Sequence, residues 1–278
     1  MTYVDIDPHQ LRPLAMPLRG RVALVTGVSR RAGIGFAIAR RLAALGAGLF
    51  LHHYTSHDRD QPWGTDPGGP QAIIEGVTNV MADRDAGIHH TEVDLAAPDA
   101  PQQLIDTAAE AFGHVDILVC NHARSGGDGP LGTLDAAMLD AHWMVNTRST
   151  ILLAQAFAAQ HDGRPGGRII FLTSGQDLGP MHHEVAYAAS KGALASITRT
   201  LADSLADRAI TLNTVNPGPV DTGYAPPEVH ETVRRHFPQA RWGAPDDPAR
   251  LIAWLTTDDA AWITGQTLNT EGGFRRWD

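Results

Sequence analysis

The run from residue 21 to residue 53 limits the possible folds more than any other part of this chain. A wholly apolar segment, Val22-Ala23-Leu24-Val25, leads into the turn Thr26-Gly27-Val28-Ser29-Arg30-Arg31-Ala32-Gly33-Ile34-Gly35. An amphipathic stretch over 33–45 and a second apolar segment over 49–53 follow. Apolar runs without alternation predict strands buried on both faces. The stretch between them has the spacing of a helix with one apolar side. The same alternation continues, with helices expected at about 71–83 and 102–112 and strands at about 88–94 and 116–120. Beyond these come a long helix at about 134–160, a strand at 168–173, a helix at 185–206 and a strand at 210–215.

Buried strands separated by helices form a parallel sheet covered on both sides. The sequence therefore predicts an α/β fold: a Rossmann-type doubly wound parallel sheet of about seven strands, in a single domain over 20–278. Residues 1–19, broken by Pro8, Pro13 and Pro17, read as an irregular N-terminal arm. The segment 57–70 is rich in Pro, Gly and Asp and reads as an inserted loop. A formal net charge of −9 with scattered basic residues argues against nucleic acid or an anionic membrane as the main partner. The single cysteine, Cys120, leaves no intrachain disulfide. No apolar run approaches the ~20 residues that cross a bilayer. A cytoplasmic protein is expected.

Two features carry chemistry. In the glycine turn, Gly27 permits a tight bend, while Gly33 and Gly35 let a pyrophosphate approach the N-terminus of the following helix. That context, strand before and helix after, predicts dinucleotide binding. The second feature is Tyr187-Ala-Ala-Ser-Lys191. Four residues apart on a helix, the phenol and the ammonium share one face. A neighbouring cation favours the phenolate, and a shift of about 3 units in pKa corresponds to roughly 4 kcal/mol. The pair is thereby expected to make Tyr187 a general acid/base near neutral pH.

These residues and their order resemble the short-chain dehydrogenase/reductase family over a span from about residue 19 to the C-terminus. The resemblance rests on the glycine turn, Asn146 in Met-Val-Asn-Thr, and Ser174 in Phe-Leu-Thr-Ser, 13 residues before Tyr187. It rests also on Tyr187-x-x-x-Lys191, on Pro217-Gly218 in Val-Asn-Pro-Gly-Pro-Val-Asp-Thr, and on a closing Ile-Thr-Gly-Gln-Thr-Leu-Asn-Thr-Glu-Gly-Gly. The sequence is most similar to the 3-oxoacyl-(acyl-carrier-protein) reductase-like branch. The resemblance implies hydride transfer between a nicotinamide and a carbonyl or secondary alcohol, with a catalytic set of Asn146, Ser174, Tyr187 and Lys191. Ser174 would hold the substrate oxygen, Tyr187 would exchange the proton, Lys191 would also bond the nicotinamide ribose, and Asn146 would hold a relay water. Cofactor contacts are implied for Gly27, Ser29, Gly33, Ile34, Gly35, His53, Asp94, Leu95, Asn121, Tyr187, Lys191, Pro217, Gly218, Val220 and Thr222. Two departures stand out. Five residues, not the family's three, separate Gly27 from Gly33, and the Asn-Asn-Ala-Gly position reads Cys120-Asn121-His122-Ala123.

The second strand ends without the carboxylate that NAD-selective sites place on the ribose, and Arg30 and Arg31 lie in the lengthened turn. NADP(H) is therefore favoured, with NAD(H) an alternative should either arginine point to solvent or Asp58 fold back onto the ribose. Gln176, His182, His183 and Tyr224 are candidate substrate contacts, and 222–238 has the position of the family's substrate lid. The pairs His52-His53, His89-His90 and His182-His183 are adjacent residues, which on a strand point to opposite faces, so no metal site is expected. The partner is a small carbonyl or alcohol substrate, with a homotetramer implied by the family. The enoyl-reductase branch, which spaces its Tyr and Lys more widely, fits less well. A catalytically silent dinucleotide-binding sensor is the alternative function, disfavoured because such proteins typically lose the Tyr or the Lys.

Overall fold

The computed structural model describes residues 15–277. Of the segment 1–19 expected as an arm, residues 1–14 lie outside the described residues. The rest opens on a turn that buries Leu18 completely.

The first unit is β1 (Val22–Val25), α1 (Ile34–Ala44) and β2 (Gly48–His53). Next come α2 (Thr55–Arg59), α3 (Gly69–Thr78), β3 (Ile88–Glu92), α4 (Ala100–Phe112) and β4 (Ile117–Cys120). The second half runs α5 (Ala136–His142), α6 (Ser149–Gln160), β5 (Gly167–Leu172), α7 (Val185–Ala206) and β6 (Ile210–Asn216). It closes with α8 (Pro227–Arg235), α9 (Asp246–Leu255) and β7 (Thr267–Asn269).

The seven strands form one parallel sheet in the order β3-β2-β1-β4-β5-β6-β7. Strand alternation divides the apolar residues between two layers. Ala23, Val25, Ile117 and Val119 join Ile38 and Leu42 of α1 and Ile252 of α9 on one face. Leu24, Phe50 and Leu118 join Leu104, Leu153, Phe157 and Leu194 of α4, α6 and α7 on the other. The chain order reverses between β1 and β4. At that switch point the loops leaving the two strands diverge and open a crevice.

The structure differs from the expected elements in three places. The expected helix at 134–160 is interrupted: Trp143–Arg148 forms a π-helical turn between α5 and α6. Such a turn loosens the hydrogen-bond ladder. Side chains fill the gap, with Ser149 Oγ donating to Val145 O and Thr150 Oγ1 donating to Asn146 O at 2.8 Å. The expected loop at 57–70 contains the end of α2 and the start of α3. The expected helix at 71–83 accordingly begins two residues earlier and stops at Thr78. The segment 222–238 carries α8. Among the described residues no helix is long and apolar enough to cross a membrane.

Candidate active site

The glycine turn is held by backbone contacts that leave no space for side chains. Gly27 has φ +72°, and a Cβ there would stand 2.8 Å from His122 Cα. At Gly35 a Cβ would lie 2.5 Å from Gly27 O. Asn121 Nδ2 donates to Thr26 O and Gly27 O, both at 3.0 Å, tying the turn to the end of β4. Beyond it, Gly33 caps α1 without a side-chain hydrogen bond, and the first turn carries no acid. Free N–H groups and the positive end of the helix dipole therefore remain available to an anion. This cradle fits the pyrophosphate of a dinucleotide.

His52 braces the turn from β2. Gly27 N donates to its Nδ1 at 3.3 Å, and its Nε2 stands 2.9 Å from Val93 O. Burial pulls the imidazole down to about 4, so the ring is neutral and can accept at one nitrogen while donating at the other. The departure at His122 has a structural use. Its Nδ1 lies 2.7 Å from Thr26 Oγ1, and its Nε2 lies 3.0 Å from Val145 O and 2.8 Å from Ser149 Oγ, joining the end of β1 to the π-helical turn and the start of α6.

The crevice encloses about 1230 Å³. At one end it is lined by Gly27, Ser29, Arg30, Gly33 and Ile34 of the turn, with Asp94, Leu95 and Asn121 from the neighbouring strand ends. Ser174, Tyr187 and Lys191 stand at the other, and Pro217, Gly218, Val220 and Thr222, following β6, line the wall that reaches back to Arg30. His182 and Tyr224 reach the mouth. The remaining expected residues do not line it. Gly35 packs behind the turn, and Gln176 Nε2 donates to Thr173 Oγ1 at 3.2 Å. His183 lies outside the lining. Asn146 is fully buried behind it: its Oδ1 accepts from Arg124 N at 2.7 Å and its Nδ2 donates to Ser190 Oγ at 2.9 Å.

Two expected cofactor contacts face elsewhere. His53, expected at the ribose, is buried, with Nε2 3.2 Å from His90 Nδ1 and the ring near Glu92. Alternation along β2 presents its neighbours His52 and Tyr54 to the crevice instead. Tyr54 lies beside Asp94, which adds to the rise that burial gives its phenol pKa and whose Oδ1 accepts from Ala96 N at 2.8 Å. Arg31 turns outward to Asp66, with Nε at 2.8 Å, and to Pro67 O.

At the other end, α7 brings Tyr187 and Lys191 together. Lys191 Nζ lies 5.9 Å from the centre of the Tyr187 ring and donates to Leu172 O at 2.9 Å. The Ser174 hydroxyl faces the Tyr187 phenol across the crevice wall and favours its ionised form. The electrostatics differ from the sequence expectation. Burial pushes the Tyr187 phenol up, Glu184 adds to the rise, and the Ser174 hydroxyl opposes it. Burial also pulls the Lys191 ammonium down to about 8. Desolvation of both groups thus outweighs the attraction expected from their spacing.

Sequence reasoning missed Asp128. Its carboxylate accepts from Gly129 N at 2.7 Å, Ala186 N at 3.0 Å and Tyr187 N at 2.7 Å, so it caps the first turn of α7 and fixes the backbone of Tyr187. Burial favours its neutral form, but these bonds win and hold the carboxyl below its usual range. Also missed was the tail: Arg276 pairs with Glu271 and lies against Gly175 and Gly179, backing the loop that carries Ser174. Neither gives a sequence signal, because both act across the fold. Among the described residues no group of three His, Cys, Asp or Glu side chains is placed to hold a metal ion.

A switch-point crevice with a glycine cradle at one end and a Ser-Tyr-Lys cluster at the other defines a nicotinamide-dinucleotide oxidoreductase. Comparison with known proteins agrees. The family model described as enoyl-(acyl carrier protein) reductase matches residues 27–275. An uncharacterized oxidoreductase of Bacillus subtilis, YjdA, is 40% identical over 258 residues, 92% of this chain and 97% of that protein. The solved short-chain dehydrogenase/reductase of Serratia marcescens superposes with a TM-score of 0.80 at 35% identity, covering 93% of this chain and 99% of the other. A short-chain dehydrogenase from Burkholderia cenocepacia, solved in complex with NADP, gives 0.79 at 36% identity, covering 92% and 98%. The chain belongs to the short-chain dehydrogenase/reductase family and is an oxidoreductase acting between CH–OH and C=O.

Proposed function

We propose that this protein is an NADP(H)-dependent ketoreductase or alcohol dehydrogenase, with 3-oxoacyl thioesters among its candidate substrates. One observation carries the reading: the Ser174 and Tyr187 hydroxyls and the Lys191 ammonium converge on the same crevice as the uncapped start of α1. A bound nicotinamide supplies or accepts the hydride. Ser174 orients the substrate oxygen as a neutral donor where negative charge develops. Tyr187 exchanges the proton with that oxygen. Lys191 holds positive charge behind the phenol, and Asn146 fixes the loop after β4 against α7, beside the proton path from Lys191. Tyr224, His182 and the segment 222–238 shape the substrate mouth. The three residues between Tyr187 and Lys191 support carbonyl rather than enoyl chemistry.

Support for NADP(H) is the lack of a carboxylate at the end of β2, where the chain reads His52-His53-Tyr54, and the NADP complex of the Burkholderia cenocepacia relative. We further propose a cytoplasmic homotetramer joined through the helices over 134–160 and 185–206. The test is oxidation of NADPH and NADH by the purified protein against 3-oxoacyl thioesters, diketones, and sugar and steroid ketones. NADPH consumption with at least one class is expected. Dinucleotide binding without oxidation across the whole panel would favour a sensor.

A further inference from the structure

Arg30, Asp58 and Trp63 form a charged cluster in the crevice that proton transfer does not use. Arg30 Nε lies 3.3 Å from Asp58 Oδ1, with side-chain exposures of only 16% and 7%. Trp63 Nε1 donates to the same carboxylate oxygen at 3.0 Å, and the Arg30 guanidinium stacks 5.0 Å from the centre of the Trp63 ring. Arg30 Nη1 donates to Thr222 O at 3.0 Å. The indole thus anchors the acid by its N–H and the cation by its face, so neither can swing freely into solvent. All three side chains line the crevice beside Tyr54 and Ser56, just past the end of β2. Asp66, the second acid acting on Arg30, is itself held by Arg31.

A lone arginine at this edge would attract a 2′-phosphate, and a lone buried aspartate would repel one. At 3.3 Å the two present little net charge to a third group. We propose that Asp58 and Arg30 are a mutually masking pair that sets how strongly this site distinguishes the 2′-phosphate of NADP(H) from the 2′-hydroxyl of NAD(H). The sequence alone favoured Arg30 and Arg31 as readers of the phosphate, with Asp58 folding back onto the ribose as the alternative. The proposal rests on the dinucleotide reading above and adds to it: removing either partner shifts the preference, in opposite directions, and removing both restores it.

The experiment is a double-mutant cycle on the dissociation constants of NADPH and NADH, followed by protein fluorescence without substrate at fixed ionic strength. Asp58→Asn keeps an acceptor for the Trp63 N–H and uncovers the cation. It should tighten NADPH relative to NADH by about tenfold, the scale of one unscreened charge ~8 Å away at an effective dielectric constant of ~30. Arg30→Gln should weaken NADPH relative to NADH by a similar factor. The double variant should return the ratio to within about threefold of wild type, because the opposite charge effects cancel. Asp58→Ser, which removes the charge without adding an amide, must move the ratio in the same direction as Asp58→Asn. An unchanged ratio in both Asp58 variants would overturn the proposal, as would a double variant that behaves like Arg30→Gln alone. A wild-type protein that binds neither dinucleotide would instead bring down the underlying reading, and the pair with it.

Discussion

The two ends of the crevice are built by different means. At the proposed proton-transfer end, Tyr187 and Lys191 come from one helix, four residues apart, and their relation is set by helix geometry before any tertiary contact forms. At the adenosine end, Arg30, the Asp58–Trp63 segment and Thr222 come from three separate parts of the chain and meet only when it is folded. Local spacing carries the first arrangement. Partner choice among loop side chains carries the second. The first end should therefore tolerate changes elsewhere while depending wholly on its own side chains, whereas the second should respond to many small changes by degrees.

The largest effect that would break this contrast is expected at Lys191. Lys191→Met should lower turnover by about 100-fold or more, yet change stability by no more than ~1–2 kcal/mol. The burial that pulls Lys191 down to about 8 shows that its charge is held against a desolvation cost. The Leu172 O contact is the bond it would lose. Steady-state kinetics beside urea unfolding checks both halves. A large loss of stability would assign Lys191 a mainly structural role.

Next comes Asp128. Asp128→Ala removes the acceptor for two backbone N–H groups at the start of α7 and for Gly129 N beside it, and should cost ~1–2 kcal/mol of stability. Turnover should fall by about tenfold, the order expected when a reacting group is slightly misplaced. Asp128→Asn keeps one acceptor oxygen and should recover part of both losses. If Asp128→Ala lowers stability but leaves turnover intact, Asp128 caps the helix without positioning the phenol.

At the cofactor end, Gly35→Ala forces a methyl to within 2.5 Å of Gly27 O. It should cost ~1–3 kcal/mol of stability and loosen dinucleotide binding, because the turn must shift to admit the methyl. Calorimetric titration of NADPH tests this. Unchanged affinity would show that the turn yields without disturbing the cradle.

The effect that is smallest at neutral pH, because it develops only in acid, is a pH dependence from His52. Burial lowers its folded pKa to about 4, below the usual unfolded value near ~6.5, so between these limits the unfolded chain binds more protons. Stability must therefore fall as pH drops from ~6.5 toward ~4. His52→Gln should flatten part of that slope in urea midpoints measured across the window. An unaltered slope would show that other groups account for the acid sensitivity.

What could be read from the sequence follows the same division. The strand and helix pattern carried the architecture, because buried parallel strands and amphipathic helices have distinct periods. Ser174, Tyr187 and Lys191 were legible because their spacing fixes where they point once the elements are known. The π-helical turn around Asn146 was not: it depends on hydroxyls of Ser149 and Thr150 bonding backward to carbonyls, and nothing in the local apolar pattern signals it. His53 was misassigned by one residue, which on a strand reverses the face and brings His52 and Tyr54 to the crevice instead. Arg31 was drawn outward by Asp66, 35 residues away, and Asp128 finds α7 58 residues on. Neither pairing has a local signature.

The most direct measurement is Tyr187→Phe, assayed in parallel for NADPH oxidation and for NADPH affinity. The phenyl ring keeps the packing and removes only the hydroxyl. Turnover should drop by at least ~100-fold while the dissociation constant stays within about threefold of wild type. Retained turnover in a folded, cofactor-binding Tyr187→Phe protein would contradict the assignment of proton transfer to Tyr187.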